Sequence, residues 1–277
     1  MARPHIEFIQ AQALPWVTGA AGPARADCAA RILSRDSTTG AMSAQLRYPA
    51  GWARNTPETL AVDEELFVLD GQLEIGGQTY GRHDYAFLPA GFLRSRARAP
   101  KGAVVLTFLS GTAQTGAGGA FDSRKLVERI ATETAVWGGA DDVGNPGLHN
   151  SGVRNQWLRR DPDTGEESYL LAMLPWMEER TESHPVVQEM FLLAGEISGG
   201  KVGVMQPGGY FWRPENKVHG PFGSRTGNLV FMRAMGGKLS TQFFGRENLD
   251  YRPAHQPILP PELQPYGAQP LPLTTPY

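Results

Sequence analysis

The sequence predicts an all-β protein built as a tandem duplication of one small barrel. Three observations carry that expectation. Segments recur in the same order at offsets of 121 to 125 residues. Short alternating runs are bounded by turn residues. Glycine (33) and proline (22) are abundant in a chain of 277 residues, which favours many short strands over long helices.

The repeats come first. Leu-Ser-Arg-Asp-Ser-Thr-Thr-Gly at 33–40 is matched by Leu-Arg-Arg-Asp-Pro-Asp-Thr-Gly at 158–165. Ile6-Glu7-x-Ile9 followed by Trp16 is matched by Val127-Glu128-x-Ile130 followed by Trp137. Glu-Leu-Phe-Val-Leu-Asp-Gly at 65–71 answers Glu-Met-Phe-Leu-Leu-Ala-Gly at 189–195. The segment 89–94 lines up with 214–219, and 103–111 with 228–236. Chance does not preserve both order and spacing five times.

These matches divide the chain into a first copy (1–111), a Gly-rich joint (112–121), a second copy (122–250) and a Pro-rich tail (251–277). The joint, Thr-Ala-Gln-Thr-Gly-Ala-Gly-Gly-Ala with a following Phe, reads as flexible. Within each copy, Gln72-Leu-Glu-Ile-Gly alternates polar and apolar, as a strand with one buried face does. Asp36-Ser-Thr-Thr-Gly and Asp161-Pro-Asp-Thr-Gly are hairpin-type turns. Segment 122–130 admits a short helix or the second copy's first strand, and the repeat favours the strand. Eight prolines in 252–277 exclude a helix or central strand there, leaving a disordered tail or an extended arm.

Composition excludes several function classes. A net charge of −2 gives no electrostatic footprint for nucleic acid or an anionic membrane. With Cys28 as the only cysteine, no intrachain disulfide and no Cys-based zinc cluster can form. The start lacks a signal-peptide pattern and no run of 18 apolar residues occurs, so a cytoplasmic protein is expected. No phosphate-cradling loop, Ser-His-Asp pattern or basic run is present.

The second copy carries the chemistry-bearing residues: Glu182-Ser-His184, then Gln188 and Glu189 ahead of Gly195, then Pro214-x-x-x-x-His219. With the flanking Gly-Tyr-Phe-Trp-Arg-Pro at 209–214 and His-Gly-Pro-Phe at 219–222, this resembles the cupin superfamily, small jelly-roll barrels that often hold one metal ion. It is similar in particular to the ChrR-like branch, which includes an anti-sigma-factor cupin domain and dioxygenases acting on acetylacetone and dihydroxyacetophenone. The resemblance covers the chain up to about residue 245 and implies a bicupin.

Residues two apart on a strand share a face, so positions 182 and 184 can both point inward. The family spacing, counted back from Gly195, lands on Gln188, and His219 would close the site from a later strand. The first shell implied is therefore Glu182, His184, Gln188 and His219. It departs from the family pattern twice, with Glu for the first His and Gln for the usual Glu. Two imidazoles, a carboxylate and an amide suit one divalent transition metal, Fe(II) first, with Zn, Ni or Mn as alternatives. Gln188 is a weak ligand or orients a bound water. Glu189 turns outward on a regular strand and becomes a ligand only through a bulge.

The equivalent residues of the first copy are Glu58, Leu60, Glu64 and Arg94, which suit a buried ion pair and no metal. Trp212, Arg213 and Tyr210 are the candidate substrate-binding residues beside the site, whereas Phe191 has the wrong parity. His5, His83, His149 and His255 match no motif position, and Cys28 reads as a small buried hydrophobe.

The resemblance implies a metal-dependent enzyme acting on a small oxygenated organic molecule, first of all a dioxygenase cleaving a C–C bond of a diketone or hydroxyketone. Non-redox isomerisation, hydrolysis or elimination is the nearest alternative. A ligand-binding regulatory module or a purely structural bicupin stands against both, although no helical partner-binding segment precedes the first repeat. A small-molecule ligand, no nucleic acid, no membrane and a homodimer are the expected partners, the homodimer from the family alone.

Overall fold

The computed structural model describes residues 3–139 and 152–268. It is all-β apart from short 3-10 turns and one helical turn, as the duplication predicts. The chain forms two compact units. One is built on Leu14–Ala135, the other on Pro4–Ala13 with the chain from Val136 onward.

Each unit is a jelly roll of a seven-stranded and a four-stranded antiparallel sheet. In the first, the large sheet runs Val127–Ala131, Asp84–Leu88, Glu64–Gly71, Ala103–Leu109, Met42–Tyr48, Ala29–Arg35 and Val17–Thr18. Its small sheet is Trp52–Arg54, Ala97–Ala99, Leu73–Ile75 and Gln78–Tyr80. In the second, the large sheet runs Ile6–Gln10, Gly209–Arg213, Val187–Gly195, Asn228–Met235, Glu167–Met173, Val153–Arg160 and Gly138–Gly139. Met177–Glu179, Phe222–Ser224, Ile197–Gly199 and Gly203–Met205 form the small one. Inward residues at every second position make one apolar core per barrel.

The repeat and the compact unit do not coincide. The strand Ile6–Gln10, which opens the first repeat, pairs with Gly209–Arg213 of the second unit. Its counterpart Val127–Ala131, which opens the second repeat, pairs with Asp84–Leu88 of the first. Each strand therefore completes the sheet formed by the other repeat. Both carry a register shift at the same place, between Ile6 and Ile9 and between Val127 and Ile130.

The repeated turns fold alike. Asp36 Oδ1 accepts the backbone N–H of Thr38 and Thr39 at 2.9 and 3.0 Å. Asp161 Oδ1 accepts those of Asp163 and Thr164, both at 3.0 Å. Gly40 and Gly165 follow with φ of 73° and 75°, the left-handed conformation that a residue without Cβ adopts at no steric cost. The Gly-rich segment after the first repeat is held in place: Gly116 N–H donates to Thr59 O at 2.7 Å and Ala61 N–H to Gln114 O at 3.0 Å. Its backbone groups find partners along the first unit, and Gly116 is closely packed, since a Cβ on it would come within 2.8 Å of Thr59 Oγ1. The tail is an arm up to residue 268. Ile258 and Glu7 exchange backbone hydrogen bonds of 2.8 and 3.2 Å. One helical turn, Gln264–Gly267, departs from the non-helical expectation, because Pro265 sits in a first turn, where no N–H is required.

Candidate metal centre

Glu182, His184 and His219 meet inside the second barrel, all buried, with their candidate ligand atoms within 4.8 Å of one another. Glu182 and His219 are joined by two backbone hydrogen bonds of 2.9 Å each, which fixes the spacing of their side chains. His184 lies two residues beyond Glu182 on the same face, as strand periodicity requires.

Hydrogen bonding orients both imidazoles. His184 Nδ1 lies 3.0 Å from Ser240 O, and His219 Nδ1 lies 2.7 Å from Lys217 O. A backbone carbonyl only accepts, so each Nδ1 carries the proton and each Nε2 presents a lone pair. Those lone pairs face the Glu182 carboxylate, at 3.3 Å from His184 and 3.5 Å from His219. Three acceptors converging in a buried site repel one another unless a cation stands between them. Consistent with this, His219 Nε2 and Glu182 Oε2 have no hydrogen-bond partner. Burial and the neighbouring Arg213 charge lower the His219 pKa, which keeps that ring neutral. The donor set fits a divalent metal ion.

Gln188 reaches the site differently from the expected ligand. Arg213 Nη1 donates to its Oε1 at 2.8 Å, so the amide nitrogen faces His184 Nε2 at 3.3 Å. A guanidinium has no acceptor, and this pins the amide orientation. The carbonyl oxygen that would bind a metal is taken. Glu189 turns outward, as a regular strand dictates, accepting from Tyr210 Oη at 2.5 Å and Arg233 Nη1 at 2.7 Å.

A cavity of about 70 Å³ adjoins the triad. Its walls include Phe8, Met190, Phe211 and Phe222, with Glu179 and Arg213 as polar wall groups. Arg213 lines it as expected. Trp212 and Tyr210 do not, which corrects their expected pocket role. Gln188 pairs across the ladder with Arg213, and Met190 with Phe211, so positions 211 and 213 face inward. Tyr210 and Trp212 take the opposite face, beside Ile9 and Ile6 of the added strand.

That strand also brings residues the sequence reading assigned to the other barrel. Its bulge turns two consecutive side chains, Glu7 and Phe8, toward the interior. Phe8 adopts φ 63°, a conformation costing a non-glycine residue about 1–3 kcal/mol. Its ring sits where a Cβ on Gly199 would come within 2.1 Å. Glu7 accepts from Arg213 Nε at 2.5 and 3.0 Å. A chain of contacts thus runs from Glu7 through Arg213 and Gln188 to His184. The conserved spacing of Ile-Glu-x-Ile and Val-Glu-x-Ile within the chain was the available signal for Glu7.

In the first barrel, Glu58, Glu64 and Arg94 meet as expected, with Arg94 Nη2 at 2.9 Å from Glu64, and Leu60 is buried in the core. Arg25 joins them unforeseen, 2.9 Å from Glu58 and 3.4 Å from Glu64. Burial and Asp27 push the Cys28 thiol up to about 12, far from a nucleophile's range. His5 and His83 contact Glu7 and Glu133, His255 bonds Gly267 O, and His149 lies outside the described residues.

Fold and site together define a protein of two jelly-roll barrels with a buried Glu-His-His centre in the second. A family model described as a domain of unknown function, DUF4437, matches residues 7–242, and the chain belongs to that family. Comparison with curated proteins finds no match. Among solved structures, a Nostoc punctiforme protein described as a "putative dioxygenase" is 17% identical, covering 88% of this chain and 87% of its own, with a TM-score of 0.70. A salicylate 1,2-dioxygenase point mutant from Pseudoaminobacter salicylatoxidans is 12% identical over 74% and 76% of the two chains, with a TM-score of 0.54. A second mutant of that enzyme, in complex with gentisate, is 11% identical over 74% and 73%, with a TM-score of 0.53. At these identities the likeness is one of fold. Among the described residues, no helix is long and apolar enough to cross a membrane.

Proposed function

We propose that this chain is a metal-dependent dioxygenase that cleaves a C–C bond of a small diketone or hydroxyketone, with Fe(II) as its metal. The observation that carries the reading is the pair of imidazoles whose Nδ1 protons are committed to backbone carbonyls while their Nε2 lone pairs face Glu182. Fold likeness to dioxygenase structures supports the reaction class, and the ChrR-like resemblance suggests the substrate class.

His184 and His219 hold the ion through Nε2, and Glu182 compensates its charge. A bound Fe(II) polarises substrate oxygens and supplies the redox capacity that O₂-dependent cleavage needs. Gln188 offers an N–H donor at the edge of the centre. Arg213 keeps Nη2 free of any partner, a donor for a ligand oxygen. Phe8, Met190, Phe211 and Phe222 exclude water from the cavity, which strengthens every charge interaction within it. A cytoplasmic homodimer belongs to the same proposal, the homodimer resting on the resemblance.

The test is elemental analysis of protein purified without a His-tag, followed by oxygen uptake of the Fe(II)-loaded protein with acetylacetone. Wild type should carry near-stoichiometric metal that is lost in His184→Ala plus His219→Ala. A wild type that takes up neither Fe(II) nor Zn(II) overturns the metalloenzyme reading. Metal uptake without oxygen consumption moves the function to non-redox chemistry.

A further inference from the structure

One wall of the cavity remains unexplained by metal binding. Glu179 ends the strand Met177–Glu179 and lines the cavity together with Glu182 and Arg213. It is outside the converging Glu-His-His group. Among the described residues, no hydrogen bond or ion pair is made by its carboxylate. The register places it opposite Phe222, as Arg54 is placed opposite Ala97 in the first barrel. There, Arg54 pairs with Glu58 at 3.0 Å and with Asp27 at 3.0 Å. The second barrel thus has a carboxyl where the first has a stabilising cation. This half-buried carboxyl has no compensating cation beside it, so packing does not account for it.

We propose that Glu179 is the proton acceptor of this site, taking the acidic proton of a small enolisable dicarbonyl as that ligand settles into the cavity as its enolate. The inference rests on the metal-site reading above and names the group that makes the ligand anionic. In the step, a C–H or enol O–H bond of the ligand breaks, its electron pair stays on the ligand, and an O–H bond forms on Glu179. No electron leaves the pair of reactants.

Charge balance supports the direction of transfer. Glu7 and Arg213 cancel in their ion pair, and Glu182 offsets half of a divalent ion. An ionised Glu179 then offsets the other half, so a neutral dicarbonyl enters a neutral site. Moving its proton to Glu179 keeps the site neutral while the ligand becomes an anion. The unpartnered Arg213 Nη2 is placed on the same cavity to receive an enolate oxygen.

The experiment uses full-length protein loaded with redox-inert Zn(II) and acetylacetone as the probe, with enolate read by ultraviolet absorbance. Binding is measured at several pH values below the probe's own pKa. Wild type should bind with an affinity independent of pH, because the proton stays in the protein. Glu179→Gln should keep its zinc, yet bind about tenfold more tightly per unit rise in pH, since each enolate then sends about one proton to solvent. Glu179→Asp should bring back the flat profile at lower affinity. Equal pH slopes in wild type and Glu179→Gln overturn the inference alone, leaving the metal site standing. If Glu179→Gln does not fold, proton release by wild type in weak buffer decides: about one proton per ligand overturns the inference and none supports it. Wild type that binds no zinc, or zinc protein that binds no acetylacetone, overturns the metal-site reading and this inference with it.

Discussion

In the first barrel the backbone of Glu58 pairs with that of Arg94 at 3.0 and 2.8 Å; in the second, Glu182 pairs with His219 at 2.9 Å twice. The same bridge therefore carries different chemistry. In the first barrel the guanidinium groups of Arg25, Arg54 and Arg94 surround Glu58 and Glu64. In the second, neutral imidazoles surround Glu182, and the nearest guanidinium, Arg213, is committed to Glu7 and Gln188. Buried carboxylates need a compensating cation. The first barrel carries its own and is chemically closed, whereas the second leaves room for one from solution.

The largest effect should come from removing that cation. Arg25→Met leaves Glu58 and Glu64 short of a buried partner and should destabilise the protein by about 3–5 kcal/mol in urea unfolding, without changing the metal content. A loss below about 1 kcal/mol would break the contrast, since Arg94 and Arg54 would then suffice.

Glu7→Gln tests the corresponding ion pair behind the second site, with an expected cost of about 1.5–3 kcal/mol at neutral pH. Burial alone would raise the Glu7 carboxyl, but Arg213 outweighs it and holds the group below its ordinary value. As pH falls, the unfolded chain takes up this proton first. The contribution is therefore complete above the unfolded pKa of about 4.3 and is lost as pH drops through the lower folded value. The variant should show a shallower acid limb in its stability profile, and an unchanged limb would remove Glu7 from the account.

The smallest effect sharpens the symmetry of the two copies. Asp36→Ala and Asp161→Ala each remove at least the two turn hydrogen bonds, and Asp161→Ala also removes the ion pair with Arg159, so each should cost at least about 0.5–1.5 kcal/mol. Calorimetry showing no loss for either variant would mean that its turn does not depend on the aspartate.

His184, His219 and Glu182 were legible in the sequence through the motifs that resemble the cupin family, with strand periodicity placing 182 and 184 on one face. Gln188 was legible in position but not in role, since only the approach of Arg213 decides which end of its amide faces the site. Parity alone suggested Trp212; the ladder pairing of Gln188 with Arg213 selected Arg213 and Phe211 instead. Arg25 and Glu179 carried no motif, because their meaning depends on neighbours distant in the chain.

The sequence by itself determined the duplication and the all-β class, encoded in order, spacing and two-residue alternation, and pointed to the histidine pair through its family-like motifs. Tertiary structure alone decided that Ile6–Gln10 and Val127–Ala131 each complete the other repeat's sheet, and hence that Glu7 and Phe8 serve the second barrel. A strand's own residues specify its faces, but an open sheet edge offers the same backbone hydrogen bonds to any strand. Which edge it joins is settled by burial and charge across distant parts of the chain.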